Sequence, residues 1–409
     1  MKIPHSQFCV LPWVSLETSP IGTVRPCCLA EDEIVDSDGV KFNLSTAALQ
    51  TVQDSQHMYQ LRQAFLAGQR PATCRKCWNE EDAGRTSKRM HTLDRLKHMI
   101  PDAPWTHHPR PLMFLDLKLG NICNLKCRIC GSWSSSTFAT EEISHIDDPT
   151  LRKSSFHYQM LRQGAWPRQN HTFWNQIDGM LDQIRYIEFT GGEPFMIQEH
   201  FDMLQGIVDR GIADKVEIHY NTNGTQFPDQ AESIWKHFRT VEIAFSIDDL
   251  GERFEYQRSN AVWTDVCANI ERFRDLRRDR SNIRLQVCST VNIFNIWHLE
   301  GLAEWIDLQD FDFVYWNMLH EAKCFSIASL PLAAKLRAAQ RLDTATVRAF
   351  HRQEFDRIRD FMMAGESLSA TEIAGSIRSL DQRRGQNLRT VIWELADSLG
   401  YQKDQHDTI

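Results

Sequence analysis

Three cysteines in "GNICNLKCRICG", Cys123, Cys127 and Cys130, are separated by three and then two residues. Soft thiolates so closely spaced suit zinc or an iron–sulfur cluster. A structural zinc site takes four protein ligands in a closed tetrahedron, and clusters usually take four thiolates as well. Three thiolates could hold three irons of a 4Fe–4S cluster and leave the fourth open to a substrate or cofactor. A zinc knuckle with a remote fourth ligand, or plain buried cysteines, would be the alternatives. A second thiol group lies nearer the start: Cys9, the adjacent Cys27 and Cys28 in "RPCC", and Cys74 and Cys77 in "TCRKC". Neighbours on a strand point to opposite faces, so only one of Cys27 and Cys28 is expected to join Cys9, Cys74 and Cys77. Four such thiolates suit zinc and an iron–sulfur cluster equally well.

The totals agree with intracellular thiolate chemistry. The chain has 409 residues, 42% hydrophobic and 24% charged, which is ordinary globular composition. Its formal net charge of −8 gives no general drive toward nucleic acid or an anionic membrane. No apolar run is long enough to span a bilayer, and "MKIPHSQFCVLPW" lacks the apolar core of a secretory leader. Eleven cysteines in such a chain point to a reducing cytoplasm rather than a disulfide scaffold. The basic run "RFRDLRRDR", Arg272 to Arg280, reads as the solvated face of an amphipathic helix.

The elements that must position these residues are legible in outline. "PDAPWTHHPRP", residues 101–111, holds four prolines and reads as a linker. Ahead of it, residues 1–100 form a small Cys-rich domain, with a hairpin turning at Pro-Ile-Gly and a helix closed by Gly68. Beyond it, strands are expected over 112–119, 185–190, 215–222, 240–247, 283–291 and 312–318, alternating with helical patterns. That alternation implies an α/β fold with a parallel sheet, open and doubly wound or curved into a partial barrel, with functional residues at the strands' carboxyl ends. The domain is placed at residues 112–325, with an insertion at about 134–180, and a helical extension follows over 326–409.

"CNLKCRIC" resembles the CxxxCxxC signature of radical S-adenosylmethionine (radical SAM) enzymes, and the resemblance continues in order along residues 112 to 318. "TGGEP" (Thr190 to Pro194) ends the second expected strand, "NTNG" (Asn221 to Gly224) the third, and "SIDD" (Ser246 to Asp249) the fourth. The resemblance implies a partial (β/α)6 barrel in which Cys123, Cys127 and Cys130 ligate a 4Fe–4S cluster whose open iron chelates S-adenosylmethionine. Reductive cleavage would release methionine and a 5′-deoxyadenosyl radical that abstracts a hydrogen atom from substrate. It further implies that Gly191, Gly192, Glu193 and Pro194 line the site of the cofactor's amino group. Asn223, Ser246, Asp248 and Arg258 are carried over as further cofactor contacts, with Arg258 meeting the carboxylate and Val291 the adenine. Asp249 departs from the pattern, since Gly is common there, which puts the local turn in doubt.

Hairpin, helix and CxxC in residues 1–100 resemble the twitch module, the shortened relative of the SPASM module, which binds one auxiliary iron–sulfur cluster. In familiar members it follows the radical domain; here it precedes it. The resemblance implies Cys9, Cys27, Cys74 and Cys77 as ligands of an auxiliary 4Fe–4S cluster, with Cys28 the alternative to Cys27 and zinc the alternative metal. Glu80, Arg85, Ser87 and Arg89 are expected to cover that site, to line substrate or to lie in a solvated loop. An oxidising enzyme that modifies or cross-links a peptide or amino-acid-like substrate is the leading expectation. A radical SAM epimerase, dehydrogenase or isomerase on a small metabolite such as a sugar, and a non-catalytic iron–sulfur or zinc adaptor, are the alternatives. A flavodoxin or ferredoxin would supply electrons. Cys324, just past the sixth strand, is a candidate hydrogen-atom donor, with His320, Glu321 and Lys323 beside it.

Overall fold

The computed structural model describes residues 2–82, 84, 86–168, 170–320 and 322–401. Arg85 and Glu321 lie outside the described residues. The strands, in chain order, are β1 (Ser15–Thr18), β2 (Val24–Arg25), β3 (Phe114–Lys118), β4 (Lys126–Cys127) and β5 (Tyr186–Thr190). They continue with β6 (Glu217–Thr222), β7 (Thr240–Phe245), β8 (Arg258–Ser259), β9 (Ile283–Val291) and β10 (Phe313–Met318). All six expected strands are present, as β3, β5, β6, β7, β9 and β10. Helices alternate with them, and the sheet is mostly parallel, an α/β arrangement that fits a partial barrel of the radical SAM type.

The described residues fall into two compact units. The first draws on Met1–Cys123, Ser132–Tyr220 and Pro228–Glu242. Its hairpin, β1 against β2, closes through Gly22 at φ +85°, a conformation that favours glycine. The hairpin does not stand apart: β1 pairs with β3 in parallel, Glu17 opposite Asp116. The linker expected at residues 101–111 therefore separates no unit of its own, because strand pairing ties the amino-terminal residues to β3. From there β3 pairs with β5, and β5 with β6, again in parallel. The helix Gln198–Asp209 buries Phe201, Leu204 and Ile207 at helical spacing, and Phe189 stacks on Tyr220 in the core.

The insertion at 134–180, which has no clear periodicity, folds as four short helices, Ser136–Ser144, Pro149–Ser154, Phe156–Gln163 and His171–Asp178. Each opens on a side-chain cap, from Ser135, Asp148, Ser155 and Asn170. Those cap residues are the signal that could have found them.

The second unit draws on Asn124–Gly131, Asn221–Phe227 and Ile243–Ile409. In it β9 and β10 run parallel, and the two-residue strands β4 and β8 pair antiparallel. The helix Trp263–Arg278 buries Val266, Ile270, Phe273 and Leu276, so the basic run at its end belongs to an amphipathic helix, as expected. The extension is helical over Leu332–Thr344, Ala349–Ala364 and Ala370–Arg384, with short turns of helix at Leu388–Val391 and Trp393–Ser398.

Candidate functional site

In the first unit four thiols share one cavity. Cys9, Cys27, Cys74 and Cys77 line it together with Leu11, Phe65, Lys88 and Arg89. The CxxC is delivered by a tight turn, Ala72–Cys74, running straight into the helix Arg75–Asp82. Burial pushes the Cys9 thiol well above its ordinary value, and Cys74, Cys27 and Cys77 push the same way. Burial raises Cys74 likewise, with Cys27 and Cys77 adding to it. Such mutual repulsion between buried sulfurs is what a bound cation or cluster relieves, because a coordinating thiol gives up its proton. The donor set and the cavity between the sulfurs therefore fit a metal group.

Cys28 faces elsewhere. Burial raises its thiol, Lys88 opposes that rise, and Asp116, Glu188 and Cys27 add to it. Residues following the CxxC cover the thiols. Lys88 and Arg89 line their cavity, and Arg89 forks onto Glu81 at 2.9 and 2.6 Å while donating to the carbonyls of Ser6 and Phe8. Ser87 caps the helix Lys88–Leu96, and Glu80 lies on the helix Arg75–Asp82. Among the described residues, no three His, Cys, Asp or Glu side chains converge as a site for a single metal ion.

Beside that cavity runs a row of ionisable side chains that sequence reading missed. Parallel register puts Glu17 opposite Asp116, Asp116 opposite Glu188, and Glu188 opposite His219. Lys88 Nζ stands 2.9 Å from Glu188 and 3.7 Å from Asp116, while His219 meets Glu242 at 3.2 Å. Burial and the Glu188 charge raise the Asp116 carboxyl to about 7, against the pull of Lys88. Polar residues at period two on buried strands were the available signal.

Also in the first unit, the segment Asn121–Cys123 is held from two sides. Ser136 and Thr137 of the insertion donate to the Cys123 carbonyl, and Asn121 Nδ2 donates to the carbonyls of Ser132 and Met160. The Glu193 N–H donates to the Ile122 carbonyl at 2.7 Å. Gly192, at φ +52°, lets that happen: a Cβ there would stand 2.3 Å from the same carbonyl oxygen. Glu193 is buried, its side chain accepting from the Phe195 N–H at the start of the turn Pro194–Met196.

In the second unit Cys127 sits on the ribbon of β4 and β8, opposite Arg258, and Cys130 is exposed in the turn that follows β4. Arg258 donates to Asp248 Oδ2 at 3.0 and 2.7 Å, and its Nη1 reaches the Cys127 sulfur at 3.8 Å. A hydrogen bond with Cys130 pulls the Cys127 thiol down to about 7; burial opposes this, and Arg258 assists it. Asp248 is fixed in turn by the Thr290 N–H at 2.8 Å, and its carbonyl accepts from Asn295. Asn223 donates to Asn124 Oδ1, and Asn124 to Thr225, which ties the "NTNG" loop to the residue after Cys123. Ser246, half-buried, continues from β7 with its N–H on the Thr222 carbonyl.

Val291 is fully buried, on the face of β9 opposite Thr290. Cys288, two residues before Thr290, is the side chain that feels Asp248 and Arg258. Asp249 does not need glycine's freedom, because among the described residues only Asn260 and Asp310 are non-glycine residues at positive φ. Its carboxylate accepts from the Leu250 N–H and from Arg253. Cys324 lies half-buried in the turn Lys323–Phe325, and the His320 ring stands against Phe361. Cys267 is half-buried on the helix Trp263–Arg278.

No curated protein matches this chain. Among solved structures it is similar to native anSMEcpe with bound AdoMet, at 16% identity and TM-score 0.35, covering 51% of this chain and 52% of that one. Native anSMEcpe with bound AdoMet and Cp18Cys peptide gives 15% identity and TM-score 0.37, covering 57% and 59%. Streptococcus suis SuiB bound to S-adenosylmethionine gives 12% identity and TM-score 0.33, covering 82% and 68%. The chain thus spans about half the length of the first of these. Residues 117–306 match the model of the Radical SAM superfamily, a stretch that holds the cysteine triad and the strand-end motifs. Those residues are similar to the radical SAM domain, and the superfamily is one of enzymes.

Proposed function

We propose that this chain is a radical SAM enzyme that oxidises or cross-links a peptide or amino-acid-like substrate with help from a second, auxiliary 4Fe–4S site. The observation that carries the second half is the shared cavity of Cys9, Cys27, Cys74 and Cys77, in a chain whose residues 117–306 match the superfamily model. Cys123, Cys127 and Cys130 would hold the first cluster. A 4Fe–4S cluster with S-adenosylmethionine supplies a 5′-deoxyadenosyl radical able to take a hydrogen atom from substrate.

The chain's own residues do the positioning. Arg258 holds the Cys127 sulfur with one arm and Asp248 with the other, so thiol, strand β8 and the end of β9 move as one piece. Gly191 and Gly192 let the loop ending β5 pack its backbone against Lys118 and Ile122, which sets the position of that strand end. Ser246 and Asn223 present polar side chains at two other strand ends. Asp116 can hold or release a proton near neutral pH at a carboxyl that faces Lys88 and Glu188. The four amino-terminal thiols that line one cavity support a cluster, with zinc the alternative metal.

Anaerobic reconstitution with iron and sulfide tests the two-site reading. About eight irons per chain are expected, and about four would remove the auxiliary cluster. Deuterium appearing in product from heavy water would turn the reading toward redox-neutral chemistry and single out Cys324 as the donor.

A further inference from the structure

Arg128 lies between two of the three clustered cysteines, yet its side chain runs the other way, into the carboxyl-terminal helices. It is fully buried, and its Nη2 pairs with Asp381 Oδ1 at 2.5 Å. The same nitrogen donates to Gln386 Oε1 at 2.8 Å, and Nε donates to the Tyr256 carbonyl at 2.9 Å. The guanidinium carbon stands 3.6 Å from the centre of the Tyr256 ring. Asp381 is 253 residues further along the chain and accepts three more hydrogen bonds. They come from the Tyr256 hydroxyl at 2.9 Å, the Tyr401 hydroxyl at 2.7 Å and the Leu388 N–H at 2.8 Å. Two further links join the extension to the ribbon: Arg384 donates to Ser259 at 3.2 Å, and Ser259 to Gln386 at 3.4 Å.

Stability alone does not account for this node. Replacing a buried ion pair by apolar residues of similar volume is often neutral or stabilising, because two charges no longer have to be desolvated. The node also leaves Arg128 Nη1 buried without a hydrogen-bond partner, which costs free energy. What it does supply is geometry. The backbone around Arg128 is pinned on one side, where its N–H donates to the Gln257 carbonyl and Cys127 pairs with Arg258. The side chain pins it on the other. With both anchors in place the turn from Cys127 to Cys130 has little freedom, and the Cys130 N–H closes it on the Cys127 carbonyl.

We propose that the carboxyl-terminal extension is a positioning element for this turn. Asp381, gripping Arg128, holds Cys127 and Cys130 at the separation and orientation that a cluster requires. Asp381 is a positioning residue that acts through Arg128. The inference rests on the radical SAM reading for the purpose of the turn, while the strap itself can be tested without any cluster.

The test uses the full chain in two forms. Cluster-free protein is alkylated, and the rates at Cys127 and Cys130 are followed by peptide mass spectrometry. Reconstituted, reduced protein is then examined by electron paramagnetic resonance with and without S-adenosylmethionine, and its midpoint potential is measured. Arg128→Met combined with Asp381→Leu keeps the volume filled and removes the strap; Asp381→Asn is the milder variant should the pair not fold. In either one, alkylation of the buried Cys127, compared at temperatures equally far below each protein's melting point, should rise about tenfold or more. The S-adenosylmethionine-sensitive signal should broaden and the potential shift. Tyr401→Phe, which keeps the ion pair, should fall between. A folded variant with wild-type alkylation, line shape and potential would overturn the proposal. Should wild type itself show no such signal, the radical SAM reading fails, and the alkylation comparison still decides the strap.

Discussion

One guanidinium in the second unit does two jobs: Arg258 neutralises the buried Asp248 and reaches the sulfur of Cys127. A planar fork suits that double duty, and a lysine ammonium would not. Next to Asp248, burial holds the Asp249 carboxyl up at about 7 despite Arg253. The folded chain therefore keeps a proton that the unfolded chain loses near 3.8. The stability tied to that proton is fully present below the unfolded value and is lost as pH rises toward 7. Asp249→Asn, which does not titrate, should accordingly gain on wild type between about pH 4 and pH 8, by a few kcal/mol at most. Urea unfolding of the cluster-free chain at the two pH values checks this, and a difference that does not change with pH would refute it. Among the thiols, Cys27→Ala should lower reconstituted iron by about four per chain, while Cys28→Ala should leave it unchanged. Elemental analysis separates them: iron retained in both would mean that the adjacent thiols substitute for one another, and loss from both would mean that each is required.

At the scale of elements, the loop ending β5 depends on one bare Cα. Gly192→Ala would place a methyl 2.3 Å from the Ile122 carbonyl oxygen at a φ of +52°. A cost of about 1–3 kcal/mol is expected, seen as a lower melting temperature together with faster exchange of the Glu193 amide. An unchanged Glu193 amide would show that the loop adjusts without loss. Strands β3, β5, β6, β7, β9 and β10 were legible because short apolar runs alternate with helical patterns. The hairpin of β1 and β2 was legible from its turn residues. That β1 would pair in parallel with β3 was not, because partner choice depends on contacts about 100 residues apart and leaves no local mark. The four helices of the insertion were hidden by weak periodicity, although Ser135, Asp148, Ser155 and Asn170 announced their starts. The ionic row from Glu17 to His219 was equally hidden, since register, not sequence, lines those residues up.

For the whole molecule, the spacing of Cys123, Cys127 and Cys130 pointed to the superfamily whose model matches residues 117–306, and the sequence distances concealed the mechanics. Nothing near Arg128 hints that its partner is Asp381, and nothing in the tail hints that it reaches a cysteine motif. The central claim is that Cys123, Cys127 and Cys130 serve S-adenosylmethionine cleavage. The most direct measurement is anaerobic incubation of the reconstituted full chain with S-adenosylmethionine and a low-potential reductant, following 5′-deoxyadenosine and methionine by liquid chromatography. The account predicts both products in equal amounts from wild type and neither from Cys127→Ala. Reconstituted wild-type protein that holds its iron yet forms neither product, or a Cys127→Ala protein that forms both, would contradict it.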